Sequence, residues 1–498
     1  TGGALNLVTK KPAEEFGVRQ TFTMGNDNLF ESITAINFGA IGDLTGSFTY
    51  VNSEYDGWAT NTYAEAKYKN LGSEDTKAYR LALRYTGDNV TVDYSYDKTD
   101  AESVPMPSQI SNVRSFFTGN VFSMMAANEH SAKRQTEYEL DFHGPEEVEI
   151  SGQNLTIEWQ ISDTLTLKSI TSKREYTSDI NEGTDFDGGA YFAPALNFTP
   201  APTVDPSNTI AIPAFHYTTN KVHEQTSQEI QLLGSMNDGK VNYVAGYYDF
   251  SEEGETINPW SLGIFTGQGA NLLFTDPLNY GGFDFVTADS EAVYANVDVA
   301  INDQLNVIAG LRHTKDDKSL TQQAELDAML REDLYAEKDW SKTVGSLTVN
   351  YVPNRDLTVY GSISQGYASG NFNPGAIDRF AFLDPANMGL ANYDGSLIPS
   401  DPTAYELGFK TVLLDNRLML NTAVFLNDST NLQRTEIRDR IRYSVNTGES
   451  ENMGIEIDAQ FAVTDALTLS GSFGYQDIEY SDDTFTDQTS HNASLGML

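Results

Sequence analysis

Hydrophobic and polar residues take alternate positions along most of this 498-residue chain. Val90, Val92, Tyr94 and Tyr96 fall on one face of an extended segment, and Thr91, Asp93, Ser95 and Asp97 on the other. The same split separates Leu357, Val359, Gly361 and Ile363 from Thr358, Tyr360, Ser362 and Ser364. It recurs at Leu418, Leu420, Thr422, Val424 and Leu426, and again at Leu467, Leu469, Gly471, Phe473 and Tyr475. A period of two marks β-strands with one apolar and one polar face. About seventeen such strands are predicted from Phe16 onward, with an eighteenth opening near Gln488.

Very short polar turns join the strands in pairs, at Gly42-Asp43, Gly87 to Asn89, Ser162 to Thr164, Asn237 to Gly239, Asn302 to Gln304, Pro353 to Asp356, Asp415-Asn416 and Thr464 to Ala466. Asn, Asp, Gly and Pro are the residues that tight turns require. Between these turns lie long connections, over 55–76, 100–152, 179–221, 253–289, 316–338, 370–401 and 429–440. Strict alternation of short and long links, with strands long enough to cross a bilayer, predicts an all-β chain folded as a transmembrane antiparallel β-barrel. Its apolar faces would meet lipid and its polar faces would line a wet lumen. The stretches 417–434 and 441–462 exceed the membrane thickness and are expected to project outside. One patch departs from period two: Leu326, Met329, Leu330 and Leu334 predict a small amphipathic helix within Ala324 to Lys338.

Composition narrows the class further. No run approaches the roughly 18 apolar residues of a membrane helix, and the mean hydropathy is −0.39. Tyr and Phe number 26 each and Gly 39, a vocabulary of strands and turns. Cysteine is absent, which removes disulfides, thiolate metal sites and thiol nucleophiles. A formal charge of −40 without a basic stripe repels phosphate backbones, so nucleic acid is excluded as a partner. The six histidines are scattered, and neither a His-Glu-x-x-His helix nor a Gly-x-Ser-x-Gly elbow occurs, so no enzyme activity is expected.

Specific segments carry a family resemblance. Thr1 to Pro12, TGGALNLVTKKP, with Gly2, Gly3, Lys10 and Pro12, resembles the closing strand of the plug domain in TonB-dependent outer-membrane receptors. Gly366 and Tyr367 within YGSISQGYASGNFNP, Tyr405, Glu406 and Gly408 within YELGFK, and Gly454 within MGIEID are similar to that family's barrel motifs. The resemblance spans essentially the whole chain, loops excepted. It implies that residues 1–12 end a plug domain and that residues 13–498 form an outer-membrane barrel. That barrel is of the roughly 22-stranded type, so about four C-terminal strands and most of the plug lie outside this sequence.

What the resemblance implies about function is energy-coupled uptake across the outer membrane of a Gram-negative bacterium. A TonB-type inner-membrane complex acts on the plug, and the barrel contacts outer-membrane lipid and lipopolysaccharide. The expected cargo is an Fe(III)-siderophore, with oligosaccharide, cobalamin or another organic nutrient as alternatives and a passive porin as a third. Loop aromatics Phe116, Phe117, Phe122, Trp260 and Phe265 could stack on such a small-molecule ligand, or could simply pack between loops. Arg114, Lys133, Arg134, Arg379 and Arg438 are candidate basic spots, Arg379 among the ligand candidates. Asp185 and Asp187, with Glu182 nearby, and Asp482, Asp483 and Asp487 lack full calcium-loop spacing and read as solvated acidic turns; no metal site or cofactor is expected.

Overall fold

The structure, a computed structural model, describes residues 8–106, 133–138, 140, 143–183, 191–197, 203–212, 215–262, 265–266, 273–274, 278–326, 330–372, 396–438, 441–481 and 490–497. Among these, 19 strands join in one sheet and no helix occurs. Eighteen of them form the wall: β1 (Phe16–Met24), β2 (Phe30–Phe38), β3 (Leu44–Tyr55), β4 (Glu74–Thr86), β5 (Val90–Ser103), β6 (Glu146–Ser162), β7 (Leu165–Gly183), β8 (Phe215–Met236) and β9 (Val241–Ile257). The series continues with β10 (Leu278–Asn302), β11 (Leu305–Leu326), β12 (Leu330–Asn354), β13 (Leu357–Gln365), β14 (Asp401–Leu413), β15 (Leu418–Arg438), β16 (Ile441–Thr464), β17 (Leu467–Ser481) and β18 (Ser490–Met497). Each pairs antiparallel with the next, from β1–β2 through β17–β18. The nineteenth, Trp260–Leu262, is a short strand between β8 and β10.

The short turns close as their residues dictate. Asn302 Oδ1 accepts from the amides of Gln304 and Leu305 at 2.9 and 3.0 Å, and Asn354 Oδ1 accepts from Asp356 N at 2.9 Å. These side chains stand in for a backbone acceptor at the first turn position. Asn237, Asp238 and Gly239 all have positive φ, the left-handed conformation that Asn, Asp and Gly tolerate best.

At the opposite end the hairpins overshoot the expected loops. β11 and β12 pair from Leu305–Tyr351 up to Leu326–Leu330, so strands cover the described parts of the 316–338 connection. The helix expected over Ala324 to Lys338 is therefore corrected: Ala324–Leu326 and Leu330–Lys338 are strand, and their apolar spacing is overridden by cross-strand pairing. β15 and β16 likewise extend to Arg438 and Ile441, as their length predicted.

Register carries the alternating pattern right round the wall. Val92 faces Ile157, Tyr247 faces Val293, Val307 faces Val349, Leu407 faces Val424, and Ile457 faces Phe473. Apolar residues thus meet apolar residues on one face and polar residues meet polar ones on the other, since directly opposed side chains share a face. The apolar face is uncovered by protein, with Leu407 59% and Val424 44% exposed. The polar face is the inner one. Lys11, from the segment before β1, reaches Asp93 on it, and the connection after β13 packs against it.

Candidate functional site

The inner face of β8 to β12 carries an aromatic and cationic cluster at the level where the outer apolar belt ends. Arg312 on β11 lies over two phenol rings, its guanidinium carbon 5.4 Å from the Tyr248 centroid and 5.6 Å from that of Tyr294. Arg312 Nε donates to Thr314 Oγ1 at 3.1 Å, and among the described residues Arg312 makes no ion pair. Tyr294 donates to the Glu229 carboxylate and accepts from Gln231 Nε2 at 3.1 Å. Tyr248 stacks on Phe250, centroids 6.5 Å apart and planes within 10°. Gly246 lies opposite Tyr294, and a Cβ there would fall 2.5 Å from the phenol, so the missing side chain lets the ring lie flat along the wall.

Further along β8, at the register level of Leu320, His223 sits 6.3 Å from the Tyr176 ring and 3.3 Å from Glu252 Oε1. Above, beyond the belt, the connection between β13 and β14 folds onto the inner wall. Its strands Asn371–Phe372 and Ser396–Leu397 bring Phe372 to 5.8 Å from Trp340, and Leu320 completes a buried cluster. Lys318 Nζ donates to Gly370 O at 2.9 Å, Lys338 Nζ to Ser396 Oγ at 2.6 Å, and Tyr367 OH to Asp316 Oδ2 at 2.8 Å. Burial pushes the Lys318 ammonium below its ordinary range, with Asp316 opposing the shift. The result is a wall of stacked rings and one unpaired guanidinium beneath a strap, an arrangement suited to a compact, oxygen-rich anionic ligand.

Comparison with known proteins identifies the family. The TonB dependent receptor-like, beta-barrel family model matches residues 115–497. The chain belongs to the TonB-dependent receptor β-barrel family. It is 23% identical to the ferrichrome outer membrane transporter/phage receptor of Escherichia coli K12, over 97% of this chain and 61% of that protein. Among solved structures it resembles the ferric yersiniabactin uptake receptor of Yersinia pestis, with a TM-score of 0.69 and 14% identity over 95% of this chain and 63% of that one. A siderophore receptor of Acinetobacter baumannii matches with a TM-score of 0.63 and 14% identity, over 97% of this chain and 67% of that one. The chain thus spans about three fifths of the length of the curated relative. The apolar face is accordingly the lipid-facing surface of an outer-membrane receptor barrel, and the polar face lines its lumen.

The receptor motifs have physical roles in this wall. Gly408 lies opposite Tyr360, whose ring a Cβ at Gly408 would meet at 2.6 Å. Tyr360 OH donates to Glu406 Oε1 at 2.5 Å, and Lys410 Nζ lies 5.7 Å from the same ring. Three residues of the YELGFK segment therefore hold one luminal tyrosine flat. Gly454 does the same for Phe425 opposite it. Tyr405 takes the outward phase and is 44% exposed. Gly366 N donates to Pro402 O at 2.7 Å, which closes the mouth of the β13–β14 connection. Lys10 and Pro12 lie in the irregular segment before β1, whereas Gly2 and Gly3 lie outside the described residues.

The proposed loop contacts are placed as follows. Phe116, Phe117, Phe122, Arg114, Arg379, Asp185, Asp187, Asp482, Asp483 and Asp487 lie outside the described residues. Trp260 starts the short strand opposite Tyr217 and Tyr280, and Phe265 pairs with Phe274 in a separate two-stranded piece. Arg134 stacks over Trp58, 3.6 Å from its centroid. Sequence reasoning passed over Arg312, Tyr248, Tyr294 and Trp340. Their signal was phase: each occupies a polar-phase position of a strand, where an aromatic ring or lone arginine faces the lumen.

Proposed function

We propose that this barrel takes part in TonB-coupled uptake of a ferric siderophore, which docks on the luminal wall around Arg312. The observation that carries the reading is the guanidinium of Arg312 against Tyr248 and Tyr294 with no carboxylate paired to it. Iron chelates present delocalised oxyanions on a compact, partly apolar shell, which such a cation and its flanking rings complement. The matched relatives support this cargo, one being a ferrichrome transporter and another a ferric yersiniabactin receptor. Residues 1–12 are proposed as the end of the plug and residues 13–498 as barrel, a division supported by Lys11 reaching the luminal wall. Coupling to a TonB-type complex acts through the plug.

The test is uptake of radiolabelled ferric ferrichrome by iron-starved cells whose only such receptor is the full-length protein. Arg312→Ala is expected to weaken apparent affinity by about tenfold, the loss of roughly 1.4 kcal/mol of charge-assisted contact. Uptake of the chelate at an undiminished affinity would remove Arg312 from the site. Failure of the unaltered receptor to take up ferrichrome, ferric yersiniabactin or a catecholate chelate would remove the siderophore reading itself.

A further inference from the structure

The strap is the β13–β14 hairpin itself, continued in register and bent into the lumen. Gln365 pairs with Thr403, Ala368 with Ser400, Asn371 with Leu397 and Phe372 with Ser396, so no residue slips between the wall and these pairs. The neighbouring wall strands stop pairing with the hairpin at the bend: β12 last meets β13 at Ser346–Ser364, and β14 last meets β15 at Asp401–Thr430. In the returning limb Pro399 and Pro402 have no amide to donate, so the ladder lapses there. Between the Ala368–Ser400 bridge and the Asn371–Leu397 pair the two limbs are unpaired, which leaves backbone groups of Ser369 and Ile398 without ladder partners.

Two side-chain amides supply those partners. Gln433 on β15 and Asn446 on β16 are directly opposed on the inner face. Gln433 Nε2 donates to Ser369 O at 2.9 Å and to Ile398 O at 3.1 Å. Asn446 grips Ile398 with both ends of its amide, Nδ2 donating to Ile398 O and Oδ1 accepting from Ile398 N, each at 2.8 Å. Asn446 Nδ2 also donates to Asn431 O at 2.9 Å, and Ser400 Oγ donates to the same carbonyl at 2.7 Å. Asn431 has a φ of 55°, and its pairing with Gly448 lapses between the pairs Thr430–Glu449 and Leu432–Thr447. The left-handed backbone, which Asn tolerates, takes that carbonyl out of the ladder and turns it to the strap. On the opposite bank Lys318 holds Gly370 O through a flexible ammonium, and Trp340 packs on Phe372 with its indole N–H buried and unpartnered. Both limbs of the strap are gripped by backbone only on the β15–β16 side.

We propose that Gln433 and Asn446 are positioning residues for the luminal site: they fix the bent hairpin over the wall of Arg312 and thereby set how tightly that wall retains its cargo. The inference rests on the uptake reading given above. Trp340, on which Phe372 of the strap lands, stands two inward positions above Val344, the partner of Arg312, so the strap roofs the site from the extracellular side. Both amides act through the backbone of Ser369 and Ile398, not through contact with the cargo.

The test uses the full-length receptor with Trp340 as its only tryptophan. Iodide quenching is read in mild detergent, and uptake is read against concentration for whichever of ferric ferrichrome, ferric yersiniabactin and a catecholate chelate the unaltered receptor transports. Asn446→Ala is expected to raise quenching of Trp340 severalfold and the half-saturating chelate concentration about tenfold, with the maximal uptake rate unchanged. Asn446→Asp, equal in size, should do the same, because a carboxylate cannot donate to Ile398 O or Asn431 O. A role in packing alone would leave the Asp variant like the unaltered receptor, and that result overturns the proposal. Gln433→Ala cuts the hold from the opposite strand and decides the matter if an Asn446 variant fails to fold. Unchanged quenching in the variants that fold overturns the proposal, and so does raised quenching with an unchanged half-saturating concentration. A receptor that takes up none of the three chelates sinks the siderophore reading alone; quenching of Trp340 still decides whether the amides fix the strap.

Discussion

Lys11 Nζ lies 2.8 Å from Asp93 Oδ2, a contact that joins the segment before β1 to the luminal face of β5 across 82 residues. Arg84 Nε stands 3.7 Å from the other carboxylate oxygen. Asp93 thus serves one cation from the wall and one from the segment that enters the lumen. Lys11 is more than half exposed, so the pair contributes on the order of 0.5 kcal/mol and acts as a positional tether more than a source of stability. Asp93→Lys is expected to release that segment, speeding tryptic cleavage after Lys10, the Lys11–Pro12 bond being resistant, while the barrel keeps its heat-modifiable migration in detergent. An unchanged cleavage rate would show that the tether is idle.

Gly408→Ala should destabilise the barrel by about 1–3 kcal/mol, because the new methyl must displace the Tyr360 ring from its bed. Urea unfolding in detergent reads the loss. Adding Tyr360→Leu should recover part of it, since the two residues are in contact and their effects do not add. Simple additivity of the two changes would contradict the proposed packing.

His143 lies outside the membrane-spanning strands, with Nε2 donating to Pro105 O at 2.7 Å and Nδ1 buried without a partner. Burial lowers its pKa from the ordinary 6.5, outweighing the backbone hydrogen bond. The folded state therefore binds this proton less readily than the unfolded state. Its contribution is intact above about pH 6.5 and is lost as pH falls through the depressed value. The protection factor of the Leu140 amide, whose N–H donates to Asn61 Oδ1 at 3.0 Å, should fall in excess of that of neighbouring amides as pH is lowered from 7.5 to 5.5, once the slower intrinsic exchange at low pH is divided out. His143→Gln should abolish that excess; an excess that persists would assign it to another group.

The Trp340 indole lies directly over Gly370, so that any Cβ there would overlap the ring and the Leu397 carbonyl. Gly370→Val is expected to lift the strap from the luminal wall. Trp340, now 7% exposed, should then red-shift in fluorescence and quench with iodide in a single-tryptophan background. No spectral change would mean that the strap is held elsewhere, through Lys318 and Lys338.

The wall was legible because its determinants are local. Alternation such as Val90 to Asp97 needs only neighbouring residues, and Asn302 and Asn354 each close their own turn. The luminal site was not, since Arg312, Tyr248 and Glu229 converge only through strand register across tens of residues. Each by itself is an unremarkable polar-phase residue. The helix expected over Ala324 to Lys338 failed for the same reason: apolar spacing at three and four is a local signal, and the β11–β12 hairpin that overrides it is built on pairing from Leu305–Tyr351 upward. Gly408 is non-local in the same way, since the ring that requires it stands on another strand.

One face of each wall strand meets lipid and the other meets the lumen. Single cysteines along β15, from Leu418 to Leu426, in a receptor freed of any other cysteine and reconstituted into bilayers, carry nitroxide labels at each position in turn. Collision with dissolved oxygen should peak at 418, 420, 422, 424 and 426, while a water-soluble nickel chelate should favour 419, 421, 423 and 425. Accessibility without a period of two, or with the phases exchanged, would contradict the account.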